Sequence, residues 1–143
     1  MNELVLASFA AANDVHLGGE PRSARFAAFK ARFDASAEEQ LREIVRRGIS
    51  SFKIFLAYKG AFGIDDTELF NTLRLAKELG VIVTAHCKNE TLVSELQKRL
   101  VAEGKTGPEW HEPSRPVRVE AEGVHHLMTF AEVTGAHVYV VHT

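Results

Sequence analysis

Three short apolar runs, Phe52 to Leu56, Val81 to Ala85 and Val138 to Val141, alternate with longer segments whose apolar residues recur at helical spacing. This alternation constrains the fold more than any other feature of the chain. Strands that alternate with helices pair in parallel through right-handed crossovers, so the expected class is α/β with a parallel sheet. The punctuation is regular. Ser36 and Glu39 make a capping-box pattern ahead of an amphipathic helix through Arg47, with Gly48 as its stop. Asp65, Asp66 and Thr67 offer N-caps for a second helix, whose Leu69, Phe70, Leu73, Ala76 and Leu79 share a face up to Gly80. A third helix is expected from about Glu90 to Glu103, with Leu92, Val93, Leu96 and Leu100 on one face and Gly104 as terminator. A fourth runs from about Arg118 to Thr134 and stops at Gly135. Between these two, Lys105 to Pro116 holds three prolines and is long enough to reach across a site.

Three parallel strands close nothing, and a parallel sheet is normally covered on both faces. The last strand runs into Thr143 with no helix after it. The expectation is therefore a piece of a larger α/β domain, or a chain whose sheet edges are covered by another copy. Residues 1 to 32 show no clear period and are left as an unassigned N-terminal segment, with the α/β domain occupying 33–143. A net charge of -2 without a basic stripe argues against nucleic acid as a partner. No apolar run is long enough to span a bilayer, and the Met1-Asn2-Glu3-Leu4 start lacks a signal peptide's basic region, so the expected setting is the cytoplasm, away from membranes. The single cysteine, Cys87, excludes an intrachain disulfide framework and fits a reducing compartment.

Each strand carries one residue suited to chemistry: Lys53, His86 and His142. From Lys53 to His86 is 33 positions, about one βαβ unit, and from His86 to His142 is 56, one unit enlarged by the long loop. The run from Ser51 to Gly60 reads as a buried strand, and burial strips water from the Lys53 ammonium. Lysine answers burial with a lowered pKa or with chemistry: a Schiff base, a general base, or a carbamate formed with carbon dioxide. In a parallel α/β barrel the site gathers at the C-terminal ends of the strands, which sets His86 and His142 side by side, and neutral imidazoles there suit zinc. Each residue also has a plainer reading. A histidine that ends a strand is more often a hydrogen-bonded structural residue than a ligand, and a lone strand lysine usually points outward. Their coincidence on successive strands favours the functional reading. Cys87 reads as a small packed hydrophobe rather than a nucleophile. His125 and His126 are adjacent on a helix and diverge on its surface. Trp110 and His111 lie on the long loop, where substrate contact and plain packing are equally open.

Ser51-Phe52-Lys53-Ile54-Phe55-Leu56-Ala57-Tyr58-Lys59-Gly60, Val83-Thr84-Ala85-His86-Cys87, Glu103-Gly104-Lys105-Thr106, Ser114-Arg115-Pro116 and Val138-Tyr139-Val140-Val141-His142 resemble the central segment of the dihydropyrimidinase and hydantoinase family. The resemblance covers roughly Phe33 to Thr143. It implies a partial (β/α)8 TIM barrel of about three strands and a zinc-dependent cyclic amidohydrolase that opens dihydropyrimidine or hydantoin rings to N-carbamoyl amino acids. It further implies that Lys53 is the carboxylated lysine bridging two metals, that His86 and His142 complete one metal's protein ligands, and that Tyr58 binds substrate and stabilises the oxyanion. A homo-oligomer, tetrameric in full-length relatives, and a small cyclic amide or ureide as partner follow from the same resemblance. Two departures stand out. The family's His-x-His pair and its late aspartate have no counterpart here, so the 143 residues by themselves are expected to be inactive. Lys88 also stands where the family usually has a glutamate. The competing reading is a non-catalytic assembly module of the kind seen in the collapsin response mediator proteins, against which the retention of Lys53, His86 and His142 argues.

Overall fold

The computed structural model describes residues 38–59 and 63–142. The segment 1–32 and the Ser36 cap lie outside the described residues. Helix α1 is described over 38–46, and strand β1 follows at Ser51–Phe55. Helix α2 is Asp66–Leu79, strand β2 Ile82–His86 and helix α3 Glu90–Ala102. A single 3-10 turn at Pro108–Trp110 interrupts the long connection to helix α4, Val117–Thr134, and strand β3 is Val138–Val140. The strands lie in the order β1-β2-β3, both pairs parallel, as the alternation of elements requires.

The helix boundaries follow from local chemistry. Asp65 caps α2 in a full capping box, its side chain accepting from Glu68 N at 2.9 Å while the Glu68 carboxylate accepts from Asp65 N at 2.7 Å. Gly80 ends that helix with φ 68, and Gly135 ends α4 with φ 70, a left-handed backbone that only glycine adopts without strain. Asn89 caps α3, its side chain accepting from Leu92 N at 3.0 Å.

One face of the sheet is covered and the other is open. Phe52, Ile54, Val83 and Ala85 point toward the helices and join Leu69, Leu73, Ala76 and Leu127 in the central apolar cluster. Ser51 and Lys53 on β1, Ile82 on β2 and Tyr139 on β3 are exposed on the opposite face. Lys53, Thr84 and Tyr139 occupy one row across the three strands. The expectation of a strand buried on both sides is thereby corrected: β1 alternates, and Lys53 belongs to its exposed side. Two helix faces also differ from the periodic reading. Phe70 is 42% exposed while Leu75 and Thr72 are buried, and Leu92 is 44% exposed, leaving Val93 as the buried residue of α3. Helical spacing marks a stripe; which edge of the stripe meets the sheet is decided by tertiary packing.

Candidate functional site

The site lies at the C-terminal ends of β1 and β2 and just beyond β3. His86 is the last residue of β2, and its carbonyl accepts from Leu56 N at 3.0 Å, tying the end of β2 to the chain leaving β1. His142, expected as the last residue of the third strand, stands two residues past the end of β3, and its backbone is left-handed with φ 42. That turn of the backbone brings the two imidazoles together: His86 Nδ1 and His142 Nδ1 are 3.4 Å apart, with ring centroids at 4.7 Å.

Tyr58 joins them from the loop after β1. Its ring stacks on His86 at 5.7 Å between centroids and 12° between planes. Tyr58 holds this place with φ 69, a left-handed conformation that costs a bulky L-residue about 1–2 kcal/mol and therefore needs support. Its carbonyl accepts from Gly63 N at 3.0 Å, and Ile64 N bonds back to Phe55 O at 3.0 Å, so the loop is pinched shut at its base. The backbone N–H of Tyr58 donates to the carboxylate of Glu90 at the start of α3. Sequence reading placed Glu90 only as the first residue of a helix; a contact across 32 positions leaves no local signal.

Lys53 lies on the open sheet face, with Nζ 5.1 Å from the centre of the Phe55 ring. The residue is exposed as a whole, yet its ammonium group is partly desolvated, and this lowers its pKa from the usual lysine value against a weaker opposing pull from Cys87. Its charge is felt at His86. Burial foremost, then the positive fields of His142, Lys88 and Lys53, press the His86 pKa down to about 4, with Glu120 pulling the other way. His86 is thus neutral at pH 7, the form that offers a lone pair.

Lys88 does not stand free beside the histidines. Its ammonium group pairs with the Glu120 carboxylate of α4, and Asn89 Nδ2 donates to Glu122 at 2.6 Å, so α4 fastens the connection that follows His86. Gly123 lets the helix come that close, since a Cβ there would lie 2.8 Å from Lys88 N. Cys87 points the other way, into the core, where burial raises its pKa to about 11 and makes it a packed thiol. His126 pairs with Asp66 at 3.1 Å and His125 is exposed, away from the strand ends. Trp110 and His111 are engaged within their own loop: Lys105 Nζ lies 4.6 Å from the Trp110 ring centre, and His111 Nδ1 lies 3.4 Å from Arg115.

The pair His86 and His142 has the donor spacing a metal asks for. Two nitrogens bound to one tetrahedral zinc at about 2.0–2.1 Å stand about 3.3–3.4 Å apart, against the observed 3.4 Å. His86 Nε2 is buried with no hydrogen-bond partner among the described residues. It is the ring nitrogen other than the one that faces His142, so it is a separate unsatisfied group, which costs about 1–3 kcal/mol while it has no partner. Among the described residues no three His, Cys, Asp or Glu side chains are grouped to hold a metal. What the fold brings together at the strand ends, among the described residues, is two imidazole nitrogens at a spacing that would fit one ion.

The depressed His86 pKa carries a pH prediction for the metal-free chain. Between about 6.5 and about 4 the unfolded chain binds a proton at His86 that the folded chain refuses. Stability contributed at this position is thus present above about 6.5 and is lost as pH falls through about 4. Urea midpoints for the chain and for His86→Gln are expected to converge as pH drops through that window. A parallel pair of curves would show that His86 titrates normally.

No protein-family model matches the chain. Individual relatives do. It is 43% identical over 107 residues to a D-hydantoinase of Ralstonia pickettii, covering 75% of this chain and 23% of that protein. A dihydropyrimidinase of Dictyostelium discoideum is 41% identical over 99 residues, covering 69% of this chain and 20% of its own length. Among solved structures, a D-hydantoinase (dihydropyrimidinase) from Thermus sp. superposes with a TM-score of 0.74 at 68% identity, over 76% of this chain and 24% of that one. The chain spans about a quarter or less of the length of the relatives it matches. Sequence and fold agree on the same stretch, and over it the chain belongs to the dihydropyrimidinase and D-hydantoinase family, its three parallel strands forming one arc of a (β/α)8 barrel.

Proposed function

We propose that this chain is a segment of a metal-dependent hydrolase that opens cyclic amides, dihydropyrimidine or hydantoin rings, to N-carbamoyl amino acids. The observation that carries the reading is the convergence of His86, His142 and Tyr58 at the strand ends. In the reaction water adds to a ring carbonyl, the carbon–nitrogen bond breaks, and the departing nitrogen takes up a proton. Zinc, when bound, supplies the Lewis acidity that makes a hydroxide nucleophile available near neutral pH. His86 and His142 would hold it, with Lys53 as a carbamate providing the bridging anion. Tyr58 offers a phenolic donor for the oxyanion that develops on the ring carbonyl. His86, kept neutral by burial and by its cationic neighbours, keeps a lone pair for the metal throughout the neutral pH range.

The 143 residues hold one side of such a site, so ring opening is a property of the assembled barrel. No helix among the described residues is long and apolar enough to cross a membrane; a cytoplasmic setting for the enzyme and its small ureide substrates is part of the proposal. Assembly into a homo-oligomer is part of the same reading, while the open sheet face and edges are where the remaining strands of the barrel would pack.

The test is metal content by elemental analysis after reconstitution with zinc and bicarbonate, with Lys53→Ala and His86→Ala alongside. About one zinc per chain is expected, lost in His86→Ala and much reduced in Lys53→Ala, because removing one donor of a three-donor set leaves the ion largely to water. Equal metal in all three proteins would sink the assignment of these ligands.

A further inference from the structure

We propose that Glu90 is the positioning residue for Tyr58: its carboxylate takes the Tyr58 backbone N–H and so keeps the Tyr58 ring stacked on His86. The functional value of this clamp rests on the reading of Tyr58 as the oxyanion donor, whereas the clamp itself rests on geometry. Tyr58 sits in a left-handed conformation that a bulky residue rarely takes, so its place is held from outside. Two peptide groups meet at its α-carbon, and each is tied. The carbonyl is held by Gly63 N at 3.0 Å, within the same loop. The N–H is held by Glu90, from a different element.

Glu90 is itself firmly set. It is the first residue of α3, and its neighbour Asn89 caps that helix, donates through Nδ2 to Glu122 and gives its own backbone N–H to Val119 O at 3.1 Å. Three residues separate His86 from Glu90. The segment that ends in the imidazole therefore also carries the group that grips Tyr58, and the ring and its partner are placed by one short piece of chain. A carboxylate in a first helical turn is also favoured by the helix dipole, which is the competing reason for an acid at this position.

Two substitutions separate the reasons. Glu90→Asp keeps the charge at the helix start and shortens the reach by one methylene; Glu90→Gln keeps the reach and an accepting oxygen while losing the charge. NMR on the 143-residue chain reads the outcome through amide exchange at Tyr58, referred to Phe52 and Ile54, and through the ring-current shift of the His86 ring protons. In Glu90→Asp the Tyr58 amide is expected to exchange at least about tenfold faster, with the His86 shift lost, because the local opening no longer breaks a held bond. In Glu90→Gln both readouts stay near those of the parent, within about threefold for exchange. The reverse order, or equal behaviour of the two variants, overturns the proposal. Neither readout involves metal or turnover. A chain that passes this test yet binds no zinc keeps the clamp and loses the metal-ligand reading of His86 and His142, and one that binds zinc but fails here does the opposite.

Discussion

Replacing Leu127 with alanine is expected to lower the stability of the fold by about 3 kcal/mol, within the range for a large apolar residue deleted from a closed core. Leu127 is fully buried, and it is the residue through which α4 enters the central cluster with Leu69, Leu73 and Val83. Val119 and Ala131 are buried on the same helix and Val124 and Phe130 pack against the cluster, but Leu127 is the largest side chain that α4 buries completely. A domain of this size has about 5–15 kcal/mol in total, which makes the loss a large fraction of what holds the chain together. Urea unfolding should show it as a shift in midpoint with little change in slope. A loss below about 1 kcal/mol would mean that α4 is not seated on the sheet in solution, and the fastening of Lys88 and Asn89 by Glu120 and Glu122 would fall with it.

Gly63→Ala is the second large effect, and its origin is contact rather than cavity. A Cβ at this position would stand 2.3 Å from Ala57 O, 2.8 Å from Lys59 N and 2.8 Å from the Tyr58 carbonyl carbon. All three are backbone atoms, and Ala57 is fully buried, so no side chain can swing aside. Overpacking of this kind costs about 1–3 kcal/mol, and here the upper end is expected because the loop that must move is the one pinched between Gly63 and Tyr58. The displacement should also be seen locally, as loss of the Tyr58 ring-current effect on His86. Unchanged stability together with unchanged His86 ring shifts would show that this loop relaxes freely, and that its closed form has no hold on Tyr58.

Much of the fold could be read from the residues because the deciding signals are local. Gly48, Gly80, Gly104 and Gly135 end or follow helical stretches, and all four have positive φ, a conformation whose chemical preference for glycine is visible in sequence. The capping chemistry at Asp65 and Asn89 is local in the same sense. Parallel pairing of three strands followed from their alternation with helices. What failed was orientation. Phe70 and Leu92 sit on the expected stripes yet face solvent, and Lys53, expected in a strand buried on both sides, stands on the open face.

The candidate site was legible in its members and not in its geometry. Lys53, His86 and His142 could be named from their places on successive strands, and Tyr58 from the family resemblance. The left-handed backbones of Tyr58 and His142 could not, since neither residue type signals that conformation. Nor could the Glu90 contact to Tyr58 or the Glu120 partner of Lys88, each of which joins residues 32 positions apart.

The exposure of Lys53 has a consequence for the electrical character of the chain. An amine on an open sheet face meets dissolved carbon dioxide without any opening of the fold, so the carbamate proposed for Lys53 would form and decay there in exchange with bicarbonate. Each such event replaces a charge of +1 by one of -1 and takes the net charge from -2 to -4. Counter-charge then has to come from solution, and the preference of that face turns from anions toward cations. The difference in electrophoretic mobility between the chain and Lys53→Ala, each in bicarbonate buffer and in its absence, would isolate the part of that change due to this one side chain.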